Sequence, residues 1–367
     1  MIYLDNNATT PLDCLVEEEM RKIYSMGPLN PSSIHRQGKR AKEILLNCRD
    51  RIAAIFQVSP NELYFTSSST ESLSIILLGH IKAKGVKRIL STKIEHNAID
   101  AHLKVLPSQG VQVDSIIVKE EGAPSLESLE KALHPQVELV ILSSVYGETG
   151  SMLDLEGISE FLYHKNIPLI IDATAHIGKA PFRVFRGISA FALSAHKFHG
   201  PLGAGLLFCR KNLPFKPLLL GGHQEMHHRA GTENLAAIFG LAKALELIEP
   251  SHFLYMERLK NNLLQELLPF GCLNGSKETI SNTFNIAFDS FDAESLMIRL
   301  DQKGVMASMG SACSSGSIEP SRVLLEMGLD RNRARSSLRF SVSRKNTAEE
   351  IFRAAALIKE ELCGCAL

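Results

Sequence analysis

Residues 137–209 read VELVILSSVYGETGSMLDLEGISEFLYHKNIPLIIDATAHIGKAPFRVFRGISAFALSAHKFHGPLGAGLLFC. Four apolar runs punctuate this stretch, at Val137–Ser144, Pro168–Asp172, Ala190–Ser194 and Gly205–Cys209. ELVILSS and IPLIID are continuous rather than alternating, as strands buried on both faces are, and such strands form parallel-rich sheets covered by helices. A helix-length pattern, Leu155–His164, separates the first two runs. Working outward toward the N-terminus, Glu62–Thr66, Arg88–Thr92 and Val111–Val118 read as further strands, with helices at Thr70–Lys84 and Asn97–Leu106. Strand and helix patterns in alternation predict an α/β layered architecture. The pattern changes near Pro250, where a helix over Asn234–Ile248 stops and another begins at His252. Strand-like Asn282–Phe288 and Leu338–Val342 then alternate with helix-like Ala293–Lys303, Glu319–Met327 and Thr347–Leu362, enough for a smaller α+β unit.

Composition narrows the class. The 367 residues are 45% hydrophobic and 22% charged, which argues against a disordered or fibrous chain. Forty basic residues balance forty acidic ones, so a general polyanion binder is disfavoured, and the densest basic stretch (Arg331, Arg333, Arg335, Arg339) is local. Seven Cys without a metal-knuckle spacing suggest reduced thiols and a cytoplasmic setting. The opening MIYLDNNATT has no leader pattern, and no apolar run reaches the ~18–20 residues of a membrane span. No nucleic-acid or membrane partner is expected.

Chemistry enters at the strand ends. Lys197 closes Ser194-Ala195-His196-Lys197 and precedes a Gly-rich loop. A lysine there is either a snorkelling cation or a desolvated amine available for Schiff-base chemistry, and its immediate neighbours leave both readings open. Asp172 ends another apolar strand, where a carboxylate can pair with a pyridinium nitrogen. Thr66-Ser67-Ser68-Ser69-Thr70-Glu71 joins a strand to a helix. Hydroxyls and amides at a helix N-terminus suit a phosphate, although simple N-capping also uses them. Together the three features favour a pyridoxal phosphate (PLP) site. A second constellation is Gly310-Ser311-Ala312-Cys313-Ser314-Ser315-Gly316, whose small polar neighbours predict an accessible, reactive thiol in a loop hinged at the two glycines. Cys48, Cys209 and Cys272 lie in apolar or mixed contexts, Cys14 lies near the N-terminus, and Cys363-Gly364-Cys365 reads as a frayed tail.

These residues sit within a series of motifs that resembles the NifS-type cysteine desulfurases of the class V aminotransferase group. In order they are Tyr3–Pro11, Asn30–His35, Phe65–Glu71, Glu95-His96, Asp172-Ala173-Thr174, Ser194–Lys197, Arg229–Asn234, Gly310–Ser315 with Glu319-Pro320-Ser321, and Arg335–Ser341. The resemblance implies the fold type I of PLP-dependent transferases: a large domain over 13–250 with a mostly parallel seven-stranded sheet, and a smaller α+β domain made of 1–12 and 251–367. It implies that Lys197 holds PLP covalently and moves the substrate α-proton. His96 would stack on the cofactor ring, Asp172 would pair with the ring nitrogen, and Ser69, Thr70, Ser194 and His196 would bind the phosphate. Thr232 would reach the phosphate of a neighbouring subunit, making a homodimer the active unit. Arg339 would grip the carboxylate of L-cysteine, for which a planar guanidinium is suited. Cys313 would take the sulfur as a persulfide, release alanine and pass the sulfur to an acceptor such as an iron–sulfur scaffold protein. No metal is implied.

The chain departs from the family pattern mildly at Ser68-Ser69, where Gly-Ala is usual, and at Ser343, where Gly is usual, and more sharply at two further places. A usual Gln that donates to the PLP 3-oxygen is Ala175, and a usual Asn that helps hold the substrate carboxylate is Gly147. Tyr146 and His176 are candidate substitutes for the missing donor to the oxygen. The alternatives are another PLP reaction on the same fold (selenocysteine lyase or an aminotransferase) or a weakly active partner in a sulfur-transfer complex. Lys197 and Cys313 together argue against both plain transamination and a non-catalytic role.

Overall fold

The computed structural model describes residues 1–276, 278–289, 291–310 and 319–364. Seven strands form its main sheet: β2 (Leu63–Thr66), β3 (Arg88–Thr92), β4 (Gln112–Ile116), β5 (Leu139–Ser143), β6 (Leu169–Asp172), β7 (Ile188–Ser194) and β8 (Gly205–Cys209). Their order is β2-β8-β7-β6-β5-β3-β4. Every pairing from β7 through β4 is parallel, and β8 runs antiparallel to both its neighbours. Each run expected to be a strand is one, with ends displaced by at most two residues.

The continuous apolar runs have the expected cause. Side chains alternate across a strand, and both faces here are covered. Phe65, Val140, Leu142, Ile171, Phe191 and Leu206 enter one core, with the helices Arg36–Phe56, Leu155–His164 and Leu235–Glu246. Tyr64, Leu139, Ile141, Ile170, Ala192 and Leu207 enter the opposite core, with Ser69–Lys84 and Asn97–Val105. The carboxyl ends of β3, β5, β6 and β7 meet at one edge of the sheet. That edge, outside the strand ends of an open α/β sheet, is where ligands bind.

A second, antiparallel sheet is formed by β9 (Cys272–Asn274), β10 (Thr283–Ala287) and β12 (Ser337–Ser341), ordered β12-β10-β9. Its core gathers Phe284, Ile286, Leu338 and Phe340 with the helices Pro250–Leu267, Ala293–Gln302 and Ala348–Gly364. Ile2 and Leu4 join that core, and β1 (Ile2–Tyr3) pairs in parallel with β11 (Val305–Met306). The change at Pro250 is a helix start, with the proline in the first turn and a reciprocal cap between Glu249 and His252.

Two local expectations change, and two helices are added. Glu319–Met327 is helical only over Arg322–Glu326, because the Ser321 hydroxyl caps that start by accepting the Leu324 amide. The last helix continues through Gly364 rather than fraying, held by buried Ile351, Ala354, Ala355, Ile358 and Leu362; Cys363 is exposed on it, and Cys365 lies outside the described residues. Two N-terminal helices, Cys14–Ser25 and Arg36–Phe56, join the architecture, capped by Asp13 and His35. Among the described residues no helix is long and apolar enough to cross a membrane.

Candidate active site

A cavity of about 310 Å³ opens at the carboxyl edge of the main sheet, lined by residues from both sheets and from the N-terminal segment. Its size is that of a small-molecule site. Lys197 follows β7 in a single 3-10 turn and lines this cavity. Its Nζ donates to the Asn7 carbonyl (2.5 Å) and the Ala8 carbonyl (2.9 Å), so it is held inside the protein rather than snorkelling to bulk water. Asp172, at the end of β6, is buried on the cavity wall, and its Oδ1 accepts the Thr174 amide at 2.9 Å.

The hydroxyl-rich turn caps a helix and lines the cavity. The Ser68 hydroxyl caps the helix Ser69–Lys84 by accepting the Glu71 amide at 3.3 Å. The Ser69 amide donates to Ser194 Oγ (2.7 Å), and the Ser194 hydroxyl donates to Ser69 Oγ (3.0 Å), bringing the ends of β2 and β7 together. A Cβ on Gly205 would lie 2.5 Å from the Ser68 carbonyl carbon, so only glycine lets β8 approach this turn so closely. Ser69, Thr70, Ser194 and His196 all line the cavity. His196 shares a hydrogen bond with Thr9 Oγ1 (3.1 Å). Burial, reinforced by the charges of Lys197 and Lys179, pushes its pKa down to about 4 and keeps the imidazole neutral.

His96 caps the helix Asn97–Val105, with Nδ1 accepting the Ala98 amide at 3.1 Å. That bond requires an unprotonated Nδ1. The ring is open to the cavity, but the cavity is sunk in the protein. Desolvation there lowers its pKa, Asp172 opposes the shift, and Lys197 and Arg339 add to it. Arg339 enters from β12, opposite Asn285 of β10. It is buried; Nη2 donates to Asp5 (2.7 Å) and Nη1 to the Gly147 carbonyl (3.3 Å).

Thr232 does not reach the cavity: it is exposed in the loop preceding Leu235–Glu246. That loop is fastened to the phosphate-type turn by Arg229, whose Nε donates to Glu71 at 2.7 Å. Cys313 lies outside the described residues. Gly310, which precedes its stretch, stands beside Glu148; a Cβ there would be 3.1 Å from Glu148 Oε1.

Several lining residues had no role assigned from sequence. Glu95 is fully buried and accepts the hydroxyls of Thr92 (2.8 Å), Ser143 (2.6 Å) and Tyr146 (3.1 Å). Burial chiefly raises its pKa to about 7. The Glu95-His96 pair stands among the family motifs, and that motif was the signal for it. Arg322, from the second sheet's side of the cavity, donates to the Glu95 carbonyl at 2.8 Å. The two sharper departures from the family pattern adjoin: a Cβ on Gly147 would meet the Ala175 Cβ at 3.5 Å. Neither candidate substitute donor is free for another acceptor, since the Tyr146 hydroxyl donates to Glu95 and His176 Nε2 bonds the Pro181 carbonyl at 3.0 Å.

The donor set fits pyridoxal phosphate. Hydroxyls and a helix N-terminus form one end, Asp172 stands on the wall, and Lys197 supplies an amine. Three buried atoms among the cavity residues, Arg339 Nε, Thr174 Oγ1 and Glu148 Oε1, have no partner among the described residues, and the first two suit a polar ligand.

Comparison with known proteins points the same way. The family model for aminotransferase class-V matches residues 2–353. A cysteine desulfurase of Nostoc sp. is 37% identical, over 98% of this chain and 92% of its own. The cysteine desulfurase IscS of Methanosarcina thermophila is also 37% identical, over 98% and 91%. Among solved structures, a NifS-like protein superposes with a TM-score of 0.92 at 32% identity, covering 99% of both chains. The NifS-like protein of Rickettsia africae gives 0.88 at 28% identity, again over 99% of both.

Proposed function

The chain belongs to the aminotransferase class-V family, and on that premise we propose how it acts as a pyridoxal-phosphate-dependent cysteine desulfurase. The substrate is L-cysteine, the products are L-alanine and a persulfide on Cys313, and the persulfide sulfur goes to an acceptor protein such as an iron–sulfur scaffold. The observation that carries this reading is the convergence of Lys197, Asp172, His96 and Arg339 on one cavity, in a chain 37% identical to cysteine desulfurases over nearly its full length.

When bound, PLP supplies an electron sink at the substrate α-carbon. Ser69, Thr70, Ser194 and His196 would hold its phosphate; a neutral His196 is a donor there rather than a second cation. Asp172 would hold the ring nitrogen, and the neutral His96 ring would pack on the ring face. Lys197 Nζ would hold the cofactor and move the proton at the substrate α-carbon. Arg339 would take the substrate carboxylate. Its Asp5 and Gly147 contacts orient the guanidinium beforehand, which reduces the ordering cost of binding.

Cys313 as thiolate would attack the substrate sulfur. The new S–S bond forms as the carbon–sulfur bond breaks, and protonation of that carbon completes the methyl group of alanine. Gly147 and Ala175 leave this reaction with fewer side-chain donors near the reacting groups, so they bear on its rate rather than its class. We place the activity in a homodimer, in which Thr232 reaches the phosphate of the partner's cofactor, and in the cytoplasm. The exposure of Thr232 and the tie from Arg229 to the phosphate turn support the dimeric reading. We divide the chain into a large unit, 13–250, and a smaller one formed by 1–12 and 251–367. The separate cores around the two sheets support this division.

The test is direct. PLP-loaded protein given L-cysteine should release sulfide and alanine, and borohydride should fix a phosphopyridoxyl group on Lys197. Cys313→Ala should keep that label while sulfide release falls to the background of free PLP with cysteine. Normal turnover by Cys313→Ala, or a label on a different lysine, would overturn the assignment.

A further inference from the structure

Asn7 and Lys179 form a buried junction that the roles above do not use. All the polar groups of Asn7 are engaged. Its amide donates to Ser341 Oγ (2.9 Å), and its carbonyl accepts Lys197 Nζ (2.5 Å). Its Nδ2 donates to the Gly147 carbonyl (2.9 Å) and Thr283 Oγ1 (2.8 Å). Its Oδ1 accepts Lys179 Nζ (3.0 Å) and Asn282 Nδ2 (3.1 Å). One side chain therefore ties the loop after β5, the segment after β6 and strand β10 to the main-chain group that holds Lys197.

Lys179 is the unusual member. It is 3% exposed, yet among the described residues its amine is recorded with a single hydrogen-bond acceptor, Asn7 Oδ1, and with no carboxylate. The groups that face it are cations or imidazoles: Lys197 and Arg339 across Asn7, His196 beyond Lys197, and His199, His252 and Arg344 around the small adjoining cavity. The carboxylates of the region are already engaged, Asp5 by Arg339 and Asp13 by Arg344 and Lys345. Burial above all, with Lys197 and Arg339 adding, holds the Lys179 pKa well below its ordinary value. A buried amine without a counter-ion costs stability that a methionine of similar length would not. A purely structural reading leaves that cost without a return.

We propose that Lys179 is a positioning residue for Lys197, acting through Asn7: its hydrogen bond locks the Asn7 side chain and so the carbonyl that holds Lys197 Nζ. The inference rests on the reading of Lys197 as the cofactor lysine. Asp172, His96, His196 and Arg339 share the cavity with Lys197, and neither substitution removes any of them.

The experiment uses apoprotein freed of PLP, reloaded at a series of pH values and quenched with borohydride, so that the rate of covalent capture at Lys197 is read without turnover. In wild type the rate rises with pH as Lys197 loses its proton. In Lys179→Met the loosened carbonyl favours the Lys197 ammonium less, so the pH of half-maximal capture should fall by about one unit, a tenfold change in proton affinity, while the melting temperature stays at or above that of wild type. Asn7→Ala should shift the profile in the same direction. The double variant should shift it no further than the larger single effect, because the two act through one junction. If Lys179→Met does not fold, the Asn7→Ala profile alone decides. A wild-type capture profile in the folded variants, or additive shifts in the double variant, overturns the proposal. Failure of wild type itself to label at Lys197 would instead overturn the cofactor reading.

Discussion

Glu95 is fully buried beside the cavity, and three hydroxyls donate to it. Those donors favour the anion, but burial outweighs them and leaves the pKa raised from 4.5 to about 7. The folded state therefore keeps a proton between pH 4.5 and about 7 that the unfolded chain releases. The associated stability is fully present below the unfolded value and is lost as pH rises through the folded one. The shift corresponds to roughly 3 kcal/mol at 1.36 kcal/mol per unit. Glu95→Gln removes the titration while keeping the shape. The variant should match or trail wild type near pH 5 and exceed it near pH 8, measured by urea denaturation of the apoprotein. An equal stability difference at both pH values would show that Glu95 does not titrate in that window.

At the scale of elements, the phosphate-type turn depends on how closely β8 packs against the start of the helix Ser69–Lys84. Gly205 opens β8 opposite Thr66 of β2, and its missing side chain is what lets the Ser68 backbone lie against it. In Gly205→Ala the added methyl meets the main chain rather than a flexible side-chain end, so the turn itself must move. Overpacking of this kind costs about 1–3 kcal/mol. The displacement would fall on Ser69, so the variant should also lose PLP faster on dialysis. Gly364→Ala, where an added methyl meets nothing within 4 Å, provides the comparison and should leave both quantities unchanged. Retention of PLP at the wild-type rate in Gly205→Ala would separate this packing contact from cofactor binding.

For the whole molecule, one cavity is assembled from Asn7 near the N-terminus, the strand ends of the main sheet and Arg339 from the second sheet. Thr232 stands outside it on an exposed loop, so its proposed role requires a second copy of the chain. Mixing Thr232→Ala with Lys197→Ala subunits should restore activity, up to about half of one site per dimer at even exchange. The heterodimer has one composite site with both residues intact. No gain after exchange, with exchange itself shown by differently tagged subunits, would count against the shared site. The strands around the site, and the placing of Asp172 and Lys197 at strand ends, were determined by the sequence alone. Continuous burial of both faces and the polar residue that ends an apolar run are local properties, written in neighbouring residues. The helices Cys14–Ser25 and Arg36–Phe56 were not read from the sequence. Only the tertiary structure decided that Asn7 joins Lys179 to Lys197, that Asp5 pre-orients Arg339 and that Gly147 meets Ala175. The hydrogen-bonded pairs among these contacts join residues 172 to 334 positions apart. Hydrophobic period and turn chemistry specify which face of an element is buried, but not which distant polar group it meets there.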